Sequence, residues 1–253
     1  VRALDIDVER SELVRWLEWL MPTHQPFLVP HEHADRLGLD DRPEQLTMEL
    51  RDSFWIYGDQ DDRVCWLDRA GSRALPADVR RVQPERHRWR TRDEGADLAR
   101  LVRYLEDGRR PSRHREVGAA TWRACESLLP GARGLAGTFP GRSGPNCFGT
   151  VMGAAGVEGA ARTWVVREPF EDWLVGATVA GGSDGDAGTV LVWRSPDGLV
   201  QHAAVTLGDG LALHKPSQGW QSPTKVLTVH EAKMSARAAG RHLHRYRLRG
   251  AVG

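Results

Sequence analysis

The residues best placed to do chemistry lie in the run Gly144-Pro145-Asn146-Cys147-Phe148-Gly149-Thr150-Val151. Pro145 lacks a backbone donor and Asn146 is a favoured N-cap, so the spacing predicts a helix opening at Cys147. Unsatisfied N–H groups and the positive end of the helix dipole at such a start favour a thiolate over a thiol. The same N–H groups suit an oxyanion formed when a carbonyl carbon is attacked. Gly149, Gly153, Ala154 and Ala155 let the helix pack closely on a sheet. A buried structural thiol is the competing reading of the same position.

A cysteine nucleophile needs an imidazole to take and return its proton. Of the ten histidines, His202 has the most suitable setting, near the start of the strand-like run Gln201 to Leu207 and followed by small apolar residues. The next run, Leu211-Ala212-Leu213-His214, brings a second imidazole. If Gly208-Asp209-Gly210 is a tight reversal, Ala204 pairs with His214, and His202 and His214 lie diagonally on one sheet face. His214 then holds the far ring nitrogen of His202 and fixes its tautomer, as the third member of a catalytic triad does.

This ordered set resembles the NlpC-type branch of the papain-like cysteine peptidases. Asn146-Cys147-Phe148-Gly149 is similar to the family's Asp-Cys-Ser-Gly nucleophile motif. Gly188 to Trp193 is similar to its Gly-Asp-Leu-Val strand, His202 to Gly210 to its His-Val-Gly-Ile-Tyr-Leu-Gly strand, and Leu213-His214 to the strand carrying its third polar residue. The interval of 12 residues between the two histidines matches the family's hairpin. Asn146 and Phe148 depart from the usual Asp and Ser, and a large aromatic beside the nucleophile reshapes the acyl pocket. The resemblance implies an α+β, papain-like domain with Cys147, His202 and His214 as catalytic residues and Asn146, Phe148 and Gly149 lining the substrate. It implies amide hydrolysis, most often in cell-wall stem peptides. Two further readings stay open: an intracellular acyl- or amide-transferring enzyme on a small metabolite, and a non-catalytic binding protein retaining the fold. The chemistry needs neither a metal nor an organic cofactor.

Elements that position these residues follow from periodicity. Leu13, Trp16, Leu17 and Leu20 predict an amphipathic helix ended by Pro22. A Pro- and His-rich loop is expected over Pro22 to Pro30, and a helix near Pro43 to Leu50. A hairpin is expected from Phe54-Trp55-Ile56-Tyr57 through Gly58-Asp59-Gln60-Asp61 to Val64-Cys65-Trp66-Leu67. Residues 1–85 thus read as a small α+β N-terminal lobe and residues 86–93 as an Arg-rich linker. Residues 94–253 read as the papain-like domain, helices packed on an antiparallel sheet. Its first helix carries Leu98, Leu101, Val102 and Leu105 on one face, stopped by Gly108. Its second carries Trp122, Cys125 and Leu129. Strands are expected at Thr189 to Trp193, Gln201 to Leu207 and Leu211 to Lys215. The alternation Arg241, Leu243, Arg245, Arg247, Arg249 reads as an edge or closing strand with a solvated basic side.

Composition bounds the rest. The 253 residues are enough for one large domain or two small ones, and 40% apolar with 27% charged residues is near the globular average. The net charge of +1, with 32 Arg but only three Lys, argues against a nucleic-acid surface. No apolar run approaches the roughly 20 residues of a membrane-spanning helix. Three Cys do not make a disulfide scaffold, and Val1-Arg2-Ala3-Leu4-Asp5 lacks a signal-peptide pattern, so a reducing, cytoplasmic setting is expected. Cys65 and Cys125 sit on apolar faces and read as structural thiols. His24, His31, Glu32 and His33 lack a further ligand at zinc-site spacing. The expected partner is a peptide or small-molecule amide.

Overall fold

Leu13, Trp16, Leu17 and Leu20 recur at helical spacing and all four are buried in α1 (Arg10–Leu20), which follows the short strands β1 (Arg2–Ala3) and β2 (Ile6–Asp7). The structure, a computed structural model, describes residues 1–57, 62–81 and 86–250. It falls into two units: Val1–Ala3 with Asp7–Arg109, and Leu4–Ile6 with the residues from Arg110 onward. In the first unit β3 (Gln25–Val29) leads into α2 (His31–Leu37). Then come α3 (Met48–Phe54), β4 (Arg63–Leu67), α4 (Arg69–Ala74), α5 (Ala77–Arg81) and α6 (Glu94–Glu106).

Four expectations for this unit are corrected. The Pro/His segment contains a strand, because β3 pairs antiparallel with β4 and buries Phe27 and Val29 beside Cys65 and Leu67. Phe54 closes a helix whose N-cap is Thr47, and Trp55 follows in the left-handed region at φ 56°, so the expected strand partner of β4 is helical. The expected reversal at Gly58-Asp59-Gln60-Asp61 lies outside the described residues, as do 82–85. Residues 86–93 are no solvated linker. The His87 ring stacks on Phe27 at 3.7 Å, and Arg90 donates to the Met21 carbonyl (3.2 Å) and to Glu18 (2.7 Å). Finally α6, capped by Asp93, packs on α1 and buries Leu101 and Leu105 completely, so the boundary between units falls near residue 110 rather than at 94.

The second unit contains α7 (Ala119–Cys125), α8 (Ala132–Leu135), α9 (Cys147–Ala154), α10 (Arg167–Ala177) and α11 (Val229–Ala236). Its strands are β5 (Thr178–Ala180), β6 (Thr189–Arg194), β7 (Val200–Gly208), β8 (Leu211–His214), β9 (Lys225–Thr228) and β10 (His242–Leu248). They form one antiparallel sheet in the order β5-β10-β6-β7-β8-β9, which makes the protein α+β. Successive side chains point to opposite faces. Val190, Val192, Ala203, Val205 and Leu213 join the core that contains α9 and α10, while Leu191, Trp193, Ala204 and Ala212 join the core against α11. Both faces being covered explains why β6 reads as an unbroken apolar run. The basic C-terminal strand is not an edge: β5 pairs outside it, and Arg245 donates to Asp184 at 3.0 Å. Among the described residues no helix is long and apolar enough to cross a membrane.

Candidate active site

Asn146 builds the start of α9. Its Oδ1 accepts from the Gly149 N–H (3.0 Å), its carbonyl accepts from Thr150 (3.0 Å), and its Nδ2 donates to the Val165 carbonyl (2.7 Å). The loop ahead of it is tied down as well: Gly144 N–H donates to the Gln218 carbonyl (2.9 Å), and Ser143 Oγ accepts from Trp220 N–H (3.1 Å). With Gly149 and Thr150 committed, the amides of Cys147 and Phe148 are the helix-opening donors left for other work. Those donors act on the Cys147 thiol. Burial pushes the thiol up to about 11, opposed by the backbone amides of Ala203, Phe148 and Cys147 and by the charge of Lys215. The thiolate expected from the helix start is therefore corrected, because loss of solvation outweighs the dipole and the amides.

The hairpin that carries the histidines forms as its residues require. Gly208 (φ 94°), Asp209 (φ 51°) and Gly210 (φ 70°) all occupy the left-handed side, which Gly adopts freely and Asp tolerates. Val205 pairs with Leu213, a register that carries Ala204 opposite His214. His202 and His214 meet with Nε2 to Nε2 at 2.8 Å, their rings nearly edge-on at 70°. Both are buried. His202 is held down to about 4 by burial and by Arg241, and His214 is held well below the usual imidazole range by burial, His202, Lys225 and Lys215. One ring must donate and the other accept. His214 Nδ1 has no partner among the described residues.

The thiol and the imidazole pair lie on opposite faces of the sheet. Cys147 belongs to the core under α9, whereas His202 pairs with Trp193 and His214 shares the face of Ala212, both on the α11 side. Ala203, whose amide favours the Cys147 thiolate, turns its side chain into the α9 core, and the alternation along β7 turns His202 the other way. No hydrogen bond joins Cys147 to His202, so the expected thiol–imidazole pair is not brought together by the fold. The His202 ring lies against Trp193 (5.5 Å between centroids), with Nε2 engaged by His214 and Nδ1 the remaining nitrogen.

Two residues expected to line the substrate serve packing instead. Phe148 is buried with its ring stacked on Phe170 at 4.5 Å, so it is a core side chain rather than an acyl-pocket wall. Gly149 faces the turn after α9, where an added Cβ meets the Ala160 carbonyl oxygen at 2.3 Å. Gly149→Ala is expected to destabilise the fold by about 2–3 kcal/mol through overpacking against backbone. Gly134→Ala, where a Cβ meets open space, is expected to be neutral or slightly stabilising. Urea midpoints of the two variants make the comparison.

A cavity of about 520 Å³ that the sequence reading did not anticipate opens beside this helix start. Its wall includes Thr138, Phe139, Arg142, Pro145, Arg162 and Lys215. The signal available in the sequence was the Arg on either side of the cysteine helix. Cys65 and Cys125 are buried thiols away from the cavity wall, and burial raises the pKa of each. Among the described residues no group of three or more His, Cys, Asp and Glu side chains is placed to hold a metal ion; His31 and His33 instead meet Arg63 (3.1 Å) and Arg36 (2.7 Å). No protein-family model matches the chain, and neither does any curated protein or any solved structure.

Proposed function

We propose that the second unit is a cysteine-dependent amide hydrolase of papain-like, NlpC-type design, acting through an acyl-thioester on a peptide or peptide-like substrate. The observation that carries this reading is a thiol at a capped helix start packed on the strand that carries His202, whose Nε2 is engaged by His214. The order helix with Cys147, strand with His202, strand with His214 supports the family assignment.

In this mechanism the Cys147 sulfur attacks the carbonyl carbon and its proton passes to His202 Nδ1, a transfer that requires β7 to bring that ring round to the α9 side of the sheet. The amides of Cys147 and Phe148 face the oxyanion that develops. Collapse breaks the C–N bond, and His202 returns the proton to the leaving amine. Water then attacks the thioester, giving its proton to His202, and Cys147 leaves with that proton restored. His202 acts as a base at Nδ1 only if its proton sits on Nε2 and points at His214, the tautomer that the 2.8 Å contact can hold. With the thiol near 11 and the imidazole near 4, the resting pair is neutral, and the proton moves during attack rather than before it.

The full chain incubated with 4-nitrophenyl esters and thioesters of N-acylated amino acids is expected to gain one acyl group on Cys147, located by peptide mass mapping. Release of that group by water marks a hydrolase, and its capture by added amine marks a transferase. Acylation at Cys65 or Cys125, or none at any cysteine across the donor set, overturns the assignment.

A further inference from the structure

We infer that the cavity beside Cys147 receives an oxyanion, a carboxylate or phosphate, borne on an apolar body. The inference rests on the proposed activity only in treating this ligand as part of the Cys147 substrate. The binding claim itself stands on the cavity.

Three cationic side chains line it: Arg142, Arg162 and Lys215. Elsewhere in this unit arginines find carboxylates, as Arg113 does with Glu231 (3.0 Å), Arg194 with Glu171 (2.7 Å) and Arg245 with Asp184 (3.0 Å). Arg142 and Arg162 have no such partner among the described residues, and no carboxylate lines the cavity. Lys215 is buried to 1% exposure with its ammonium donating to the Ser222 carbonyl, so its charge is fixed in place rather than solvated. Its field reaches both the Cys147 thiol and His214, which ties the cavity to the reacting groups.

The remaining wall sets the body of the ligand. Leu135, Phe139, Pro140 and Pro145 are apolar, and Thr138 and Thr224 are joined across the wall by backbone hydrogen bonds of 2.9 and 3.3 Å. The volume suits a small molecule or the end of a peptide. Guanidinium groups recognise planar carboxylates and phosphates through paired N–H donors, so two of them near a buried ammonium select charge and leave neutral groups unrewarded.

The test uses direct binding to the full chain carrying Cys147→Ala, so that turnover does not enter. Calorimetry with hippurate, phenyl phosphate and the neutral hippuramide is expected to show both anions binding at least tenfold tighter than the amide. The tighter of the two anions identifies the natural oxyanion. Arg142→Gln with Arg162→Gln, both at exposed side chains, is expected to weaken the anions about tenfold or more while hippuramide stays unchanged. Added salt is expected to weaken the anions alone. Equal binding of hippuramide and hippurate, or anion binding indifferent to the double variant, overturns the inference. Anion binding without any acylation of the wild-type cysteine keeps the cavity and removes the hydrolase.

Discussion

Cys147→Ala and His202→Ala are each expected to lower acyl-transfer turnover by at least about 10³-fold, and the double variant by little more than either alone. Nucleophile and base act as one unit, so removing either leaves only the residual contribution of binding and oxyanion donors. His214→Ala is expected to cost less, about 10–100-fold, because it frees the His202 tautomer without removing the base. His214→Gln, which restores a hydrogen-bonding group there, is expected to recover part of that loss. The pH profile separates this arrangement from an ion-paired thiolate. A neutral pair gives a rate that rises as His202 loses its proton near pH 4 and then stays level across the neutral range. Alkylation of Cys147 is then slow at pH 6 and climbs only toward pH 11. Fast labelling at pH 6, lost in His202→Ala, means that substrate-free Cys147 is already a thiolate. Unchanged turnover in Cys147→Ala removes the enzyme altogether.

The second large effect is on stability in mild acid. His202 and His214 are neutral in the folded chain because burial disfavours their charged forms, while in the unfolded chain each titrates near pH 6.5. Below that value the unfolded state binds protons that the folded state refuses, so stability present above about pH 6.5 is lost progressively as pH falls toward 4. His202, moved from 6.5 to about 4, accounts for about 3 kcal/mol by itself, and His214 adds to it. Urea titrations from pH 7.5 to 5 are expected to show a steep decline, much flatter in a His202→Gln, His214→Gln double variant. That window lies above the range of Glu231, held near 2 by Arg113, and of Asp184, held low chiefly by Lys233 and Arg245, so their carboxylates do not confuse the slope. A wild-type curve as flat as that of the double variant contradicts the buried neutral pair.

The contrast between these two imidazoles and their surroundings shows what was legible from residues alone. The α9 start was visible because a Pro-Asn-Cys order carries its own cap. The His202–His214 contact was visible because a Gly-Asp-Gly reversal sets the register, and the register sets the diagonal. A Thr228-to-Glu231 capping box and the Phe170, Trp173, Leu174 and Ala177 spacing were equally present in the sequence, and they mark α11 and α10. Neither helix figures in the sequence reading.

Local order thus belonged to the sequence: which residues cap, which turn, which faces are apolar, and that a thiol and two imidazoles lie on neighbouring elements. Pairing between distant segments did not, since β3 and β4 find each other across more than thirty residues and β5 covers β10 from the far side of the sheet. A strand pattern states that an edge wants a partner and says nothing of which partner arrives. Burial likewise came only with the tertiary structure. The helix dipole and N–H groups that favour a thiolate are local, while the desolvation that reverses them is imposed by every element packed around Cys147. The same holds for Arg142 and Arg162, ordinary surface charges in the sequence until folding set them beside one cavity with Lys215.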